Sequence, residues 1–278
     1  MKLTYPIAQL CLALGVSRSG FYAWSKHQPS RRAQEDTRLS SSILQIHARS
    51  RQTYGSPRIR EELREAGVAI GRRRVARLMR QKGICGRARR RRSPQTTDSN
   101  HDQPLAPNLL KDCAPASRIN EVWVTDITYI PTDEGWLYLA GILDVYSRKI
   151  VGWSVSATLA TGLCLDALTM ALQQRRPSKG LIHHSDRGVQ YASREYRHAL
   201  LAAALVPSMS RRANCYDNAF VESFWSTLKV ECLHRAHFHT RAAASLAVFD
   251  FIECFYNPHR RHSSLGYRSP VAFETINN

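Results

Sequence analysis

Nowhere in this 278-residue chain does an apolar run approach the ~18 residues of a membrane-crossing helix, so no membrane span is expected. The short apolar stretch at the start is interrupted by Pro6 and Gln9 and shows no convincing cleavage site, which argues against a secretory signal. Cysteines stand at 11, 85, 113, 164, 215, 232 and 254, odd in number and without a Cys-x-x-Cys pair. That pattern excludes a regular disulfide framework and points to reduced thiols in a cytoplasm. Acidic residues are scarce where basic ones crowd. Residues 1–100 hold 22 Lys and Arg against 6 Asp and Glu, a net of +16, while residues 101–278 hold 18 against 16, a net of +2. The overall charge of +18 calls for a polyanionic partner, and its location makes the front third the part that meets it. In a chain that is 43% hydrophobic overall, the remainder has the makings of a near-neutral globular core.

Two helical pairs are predicted in the front third. Residues 5–26 read as short helices broken at Gly15, with Ser17 placed to cap the second; a small helix-turn-helix and a plain helical hairpin both fit. In residues 57–83, Pro57 opens a helix with Ile59 and Leu63, Gly67 and Gly71 bound a turn, and Val75, Leu78 and Met79 stripe a second helix closed by Gly83. Arg73, Arg77 and Arg80 follow at i, i+4 and i+7 and share one face of that second helix. A basic face there suits a recognition helix meeting phosphates and base edges, the alternative being a solvated charged surface. Residues 87–92, Arg-Ala-Arg-Arg-Arg-Arg, and the polar, proline-bearing stretch after them read as a linker. The expected organisation is a helix-turn-helix-like segment over 1–30, a basic helix-turn-helix-like module over 31–86, a linker over 87–116, a catalytic core over 117–240 and a C-terminal helix with a basic tail over 241–278. From residue 119 the pattern becomes that of an α/β fold. Strands are expected at 122–130, 136–144, 150–156 and 180–184, and helices at 163–174, 193–204, 217–233 and 241–256.

Three carboxylates stand in distinctive surroundings. Asp126 interrupts the apolar strand Val-Trp-Val-Thr-Asp-Ile-Thr-Tyr, where an isolated ionised group is costly unless paired or metal-bound. Asp186 follows His-His-Ser and precedes Arg187-Gly188, just past a strand end, where open α/β sheets bind ligands. Glu222 lies near the start of a helix in Asn-Ala-Phe-Val-Glu-Ser-Phe-Trp, with Lys229 seven residues on and so on the same face, about 10 Å along the axis. Hard oxygen ligands from three separate elements suit a pair of Mg²⁺ ions and phosphoryl transfer.

On these phrases, and on Leu143–Trp153 (Leu-Asp-Val-Tyr-Ser-Arg-Lys-Ile-Val-Gly-Trp), Tyr54–Arg58 (Tyr-Gly-Ser-Pro-Arg) and Tyr256–Tyr267, the chain resembles the second-open-reading-frame transposases of the insertion-sequence-three type, within the retroviral-integrase-like DDE superfamily. The resemblance spans nearly the whole chain. It implies an RNase H-like mixed-sheet core behind small all-α helix-turn-helix modules, with Asp126, Asp186 and Glu222 as a catalytic, metal-binding triad. It further implies two Mg²⁺ ions, replaceable by Mn²⁺, acting on double-stranded DNA at element ends and target. Nicking would free a 3′-OH, and strand transfer would follow. A homo-oligomer on DNA and an upstream-frame protein or fusion are implied partners, and a nucleoid-associated cytoplasmic location follows. Rival readings are an RNase H-like nuclease that only hydrolyses and a non-catalytic DNA-binding regulator.

Other residues carry weaker expectations. Arg187 is placed to hold a phosphate and Lys229 to position a DNA end. Arg260 and Arg261, within His259-Arg-Arg-His262 and flanked by aromatics, are expected at DNA, a polar C-terminal loop being the alternative. Asp144 is expected to be structural or to support the site, and His183 and His184 to donate hydrogen bonds near it. The run Cys232-x-His234-x-x-His237-x-His239 invites a zinc reading, against which stands its position across a helix end.

Overall fold

A computed structural model describes residues 5–26, 28–87, 105–111, 115–210 and 219–277. At its centre is a five-stranded sheet in the order β3-β2-β1-β4-β5. Strands β1 (Val122–Thr132), β2 (Gly135–Asp144) and β3 (Ile150–Ser156) form an antiparallel meander, and β4 (Ile182–Ser185) and β5 (Val206–Met209) add in parallel on the other side of β1. The parallel additions need crossovers, which α6 (Thr161–Arg175), α7 (Val189–Ala192) and α8 (Arg194–Ala202) supply.

Strand alternation divides the core between the two faces. Trp123, Ala140, Ile142 and Val151 pack with Leu168 of α6 and Tyr196 of α8, whereas Val122, Val124, Leu139 and Leu143 pack on the opposite face. There they meet α9 (Ala219–Glu231) and α10 (Arg241–Phe251), through Phe224, Leu228, Val248 and Phe251. Gly152 sets the spacing of the first layer: a Cβ on it would lie 2.3 Å from the carbonyl oxygen of Ala167. Only a glycine lets β3 and α6 approach so closely.

The front third is entirely helical where described: α1 (Ile7–Ala13), α2 (Arg18–Lys26), α3 (Arg31–Arg49), α4 (Ser56–Glu65) and α5 (Arg72–Gln81). Gly15 has φ +62° at the first turn, and the Ser17 hydroxyl accepts from the Gly20 N–H at 3.0 Å as the expected cap. Helices α3–α5 do not form a separate core. Leu39, Ile43, Ile59, Leu63, Val75 and Leu78 belong to the same buried cluster as Val124, Phe224 and Val248.

Polar contacts reinforce that junction. Arg51 pairs with Asp250 at 2.7 Å, the Tyr54 hydroxyl accepts from the Arg261 N–H at 2.8 Å, and Arg58 donates to the Arg261 carbonyl at 2.9 Å. The Arg261 guanidinium bridges Glu62 and Glu65 of α4.

Several elements differ from the sequence reading. Helix α3, strand β5 and a final helix α11 (Pro270–Asn277) were not expected. Helix α10 passes into a π turn, Ile252–Tyr256, before the chain reaches Asn257-Pro258. The arginine run at 89–92 and residues 217–218, where the helix over 217–233 is expected to begin, lie outside the described residues.

Candidate active site

The register of the sheet brings the first two carboxylates together. In the parallel pairing of β1 with β4, Val122 faces Ile182 and Val124 faces His184. Asp126 follows two residues on within β1, and Asp186 comes one residue after the end of β4, close enough for its charge to act on the Asp126 carboxyl. Asp186 is held in a tight turn just beyond β4, its Oδ1 accepting from the Gly188 N–H at 2.9 Å.

Helix α9 supplies the third. Val221, Phe224, Trp225 and Leu228 are its buried side chains, and they clamp it across β1 and β2. Phe220, in the first turn of the helix, is by contrast 39% exposed under the Arg148 guanidinium. The Trp225 indole N–H donates to Asp126 Oδ2 at 3.0 Å. Glu222 lies three residues before Trp225, one helical turn back on neighbouring surface. The ring needs room: opposite Asp126 on β2 is Gly141, and a Cβ there would come within 2.7 Å of the Trp225 ring. Neither Trp225 nor Gly141 stood out in the sequence as part of the site. The only available sign was an aromatic one turn beyond Glu222.

The electrostatics follow from this crowding. Burial, then the Asp186 charge, and more weakly that of Glu222, push the Asp126 carboxyl up to about 8, against hydrogen bonds from Ile127 and Trp225 that lower it. Lys229, half-buried two turns along α9, lies within reach of the same field: burial lowers its pKa and the charge of Asp126 opposes this. Lys229 also lines a groove of about 180 Å³ with Tyr129, Pro131, Asp133, His234 and His237. Arg187 is anchored beside Asp186, its Nε donating to the Ser210 carbonyl at 2.8 Å.

Other expected residues lie elsewhere. Asp144 is fully buried and closes the β2–β3 turn, accepting from the Ser147 N–H at 2.9 Å and the Asn120 N–H at 2.7 Å. His184 and His183 are buried against Ser208 and Tyr196, and desolvation pushes His183 down to about 3. They support the fold beneath the site. The DNA-contact expectation for Arg260 and Arg261 is corrected. Arg260 is 5% exposed and forms two 2.7 Å bonds to the buried Glu231, while Arg261 is spent on Glu62 and Glu65. A guanidinium turned inward onto carboxylates offers nothing to a phosphate. On α5, Arg77 bonds Asp36 of α3 at 2.6 Å, which leaves Arg73 and Arg80 as the exposed members of the basic face.

With this geometry in view, comparisons with known proteins are consistent along the chain. Integrase core domain families match residues 116–215 and 204–270, and an HTH-like domain family matches residues 33–92. An uncharacterized 31 kDa protein of insertion element IS600 from Shigella sonnei is 49% identical over 265 residues, covering 95% of this chain and 97% of that protein. The transposase InsF of insertion sequence IS3A from Escherichia coli K12 is 43% identical over 275 residues, covering 98% and 95% respectively. Among solved structures, a simian T-cell lymphotropic virus intasome in complex with the PP2A regulatory subunit B56 gamma aligns with a TM-score of 0.48 at 14% identity, over 84% of this chain and 74% of its own. The HTLV-2 integrase catalytic core domain in complex with magnesium aligns at 0.44 and 14%, over 56% of this chain and 96% of that one. The integrase-core matches and the mixed sheet make the core RNase H-like, preceded by an HTH-like domain.

Proposed function

Because the chain belongs to the IS3-type transposases, enzymes that carry an integrase core and move DNA, we propose that Asp126, Asp186 and Glu222 are the residues that cut and join it. The observation that carries this reading is the convergence of the three carboxylates, the charges of Asp186 and Glu222 both acting on Asp126, with α9 tied to Asp126 through Trp225. The donor set fits a hard divalent cation: all three are carboxylates, and the crowding that raises Asp126 is what bound positive charge relieves. Asp126, Asp186 and Glu222 would hold Mg²⁺, as a pair of ions, with Mn²⁺ able to substitute. Such ions supply Lewis-acid stabilisation of charge on a phosphodiester and a more acidic attacking oxygen.

The chain's own residues do the rest. One carboxylate is fixed within β1 and a second in the tight turn just beyond the neighbouring β4, so little rearrangement is needed when DNA arrives. Hydrogen bonds from the Trp225 indole and the Ile127 N–H hold the Asp126 carboxylate in one orientation. Lys229 and Arg187 offer positive charge to the backbone of a DNA end, and the exposed Arg73 and Arg80 of α5 offer more. The reaction proposed is hydrolysis of one phosphodiester at the element end, freeing a 3′-OH, followed by attack of that hydroxyl on a second phosphodiester. Each step exchanges one P–O bond for another, with no covalent protein intermediate. Working on DNA, the protein is expected to act as an oligomer.

The test is a strand-transfer assay with labelled element-end DNA and Mg²⁺. Nicked and joined products are expected from the natural chain. Asp126→Asn, Asp186→Asn and Glu222→Gln should each lose both products while still shifting the DNA in a gel. Full activity in any one of them removes that residue from the site. Nicking without joining, under conditions where the DNA ends are held together, favours a purely hydrolytic nuclease.

A further inference from the structure

A second cluster of metal-ligating side chains lies outside the carboxylate triad. His237 and His239 flank Phe238, which is 8% exposed and anchors the segment. Phe238 turns into the core while the imidazoles on either side of it stand exposed. Opposite them is Asp133, in the turn between β1 and β2. Its N–H donates to the Phe238 carbonyl at 3.1 Å, which fixes the distance between the two segments. Asp133 Oδ1 lies 2.7 Å from His237 Nε2, and Oδ2 lies 2.7 Å from His239 Nδ1. One ligand atom from each residue falls within 4.8 Å of the other two.

We infer that Asp133, His237 and His239 form a second metal site, for a borderline divalent ion of the zinc class. Two imidazole nitrogens and one carboxylate oxygen are the donor set such ions select, whereas the three carboxylates of the active site suit Mg²⁺. Ligand atoms about 2.0 Å from a tetrahedral zinc stand roughly 3.3 Å apart; the two 2.7 Å carboxylate–imidazole contacts need to open by less than an ångström, and all three ligand atoms already lie within 4.8 Å of one another. The fourth position faces solvent. Of the residues that suggested zinc in the sequence, Cys232 is excluded, because its Sγ is directed at the Ala247 carbonyl inside the fold. Asp133, about a hundred positions away, replaces it, which no local spacing could reveal.

A metal at this point would clip the β1–β2 turn to the segment that leaves α9. Asp133 and His237 also line the groove that holds Lys229, so the clip would brace the groove's outer wall. This inference is independent of the proposed chemistry at Asp126, Asp186 and Glu222.

Zinc is the probe, on tag-free full-length protein in excess Mg²⁺, with binding read by competition against a chromophoric chelator. The expected result is one zinc per chain at micromolar affinity or better. His239→Ala and Asp133→Asn should each weaken binding at least ten-fold, and a protein carrying Asp126→Asn with Glu222→Gln should bind zinc as the natural chain does. Both ligand substitutions are at exposed positions, and their folding is checked by the zinc-free thermal midpoint. Zinc should raise that midpoint in the natural chain and leave it unmoved in His239→Ala. No zinc binding by the natural chain at 100-micromolar free metal overturns the inference. So does binding that survives both ligand substitutions, or that vanishes with Asp126 and Glu222.

Discussion

Trp225 is the side chain on which the arrangement of the proposed site turns. Its ring fills the space over Gly141 and its N–H meets Asp126, so it couples the packing of α9 to the orientation of a functional carboxylate. Trp225→Phe keeps most of the apolar body and removes the donor. A hydrogen bond to a charged group contributes about 1.5–3 kcal/mol, so DNA cleavage should slow by about ten-fold or more. The thermal midpoint should change little by comparison, and Mn²⁺ affinity, measured by electron paramagnetic resonance, should fall. Cleavage and Mn²⁺ binding at natural levels would reduce Trp225 to a packing residue.

Asp126 itself makes a prediction about pH. Its carboxyl is raised to about 8 in the folded, metal-free chain, against an ordinary value near 4 when unfolded. The folded state therefore holds this proton more tightly. The associated stability is complete below about pH 4 and is lost as pH rises toward 8, by at most about 1.4 kcal/mol per pH unit. Without divalent metal, the thermal midpoint should decline between pH 5 and 8. Asp126→Asn should flatten the decline, and added Mg²⁺ should offset it in the natural chain only. Equal slopes for the two proteins would mean that other groups control the transition.

At the scale of elements, the crossing of β2 and α9 is set by one missing side chain. Gly141→Ala would drive a methyl into the Trp225 ring at 2.7 Å, and the ring cannot retreat without leaving Asp126. Overpacking of this kind costs about 1–3 kcal/mol, and cleavage should fall further than stability alone explains. Calorimetry and a cleavage time course on the same preparation check both parts. Natural rates in a destabilised variant would uncouple the crossing from the chemistry.

The meander and the helices carrying Glu222 and Lys229 were legible in the sequence, because long apolar segments with clear period advertise themselves. Strand β5 was not: it has four residues, one of them Pro207, and pairs only with β4. Helix α3 was hidden by its polar composition, since its buried Leu39, Ile43 and Ile46 stand alone among charged and hydroxyl side chains. The carboxylates could be read because each sits in a costly or conspicuous place. The indole donor and the glycine beneath it could not, because a contact between β1 and α9 is a tertiary fact. The inward turn of Arg260 was equally hidden, since its partner Glu231 stands on α9, 29 residues earlier in the chain.

Across the whole molecule, basic residues perform two different tasks, and substitution separates them. Arg260 and Arg261 hold the C-terminal segment to α9 and α4. Removing Arg260 strands the buried Glu231, and breaking such a pair costs about 3–5 kcal/mol, so Arg260→Ala should lose stability and bring DNA binding down only through unfolding. Arg73 and Arg80 on α5 are exposed and contribute to the +16 of the first hundred residues. Because α3–α5 share their core with the sheet, truncation would test packing as much as charge, and point substitution in the full chain is the cleaner experiment. Each phosphate contact contributes about −0.9 to the slope of log affinity against log salt. Arg73→Ala with Arg80→Ala should therefore shallow that slope by up to about 1.8, with the thermal midpoint unchanged. Binding measured by fluorescence anisotropy over a salt series gives the slope directly. An unaltered slope would mean that α5 does not face the DNA and that the contacts come from other basic positions of the front third.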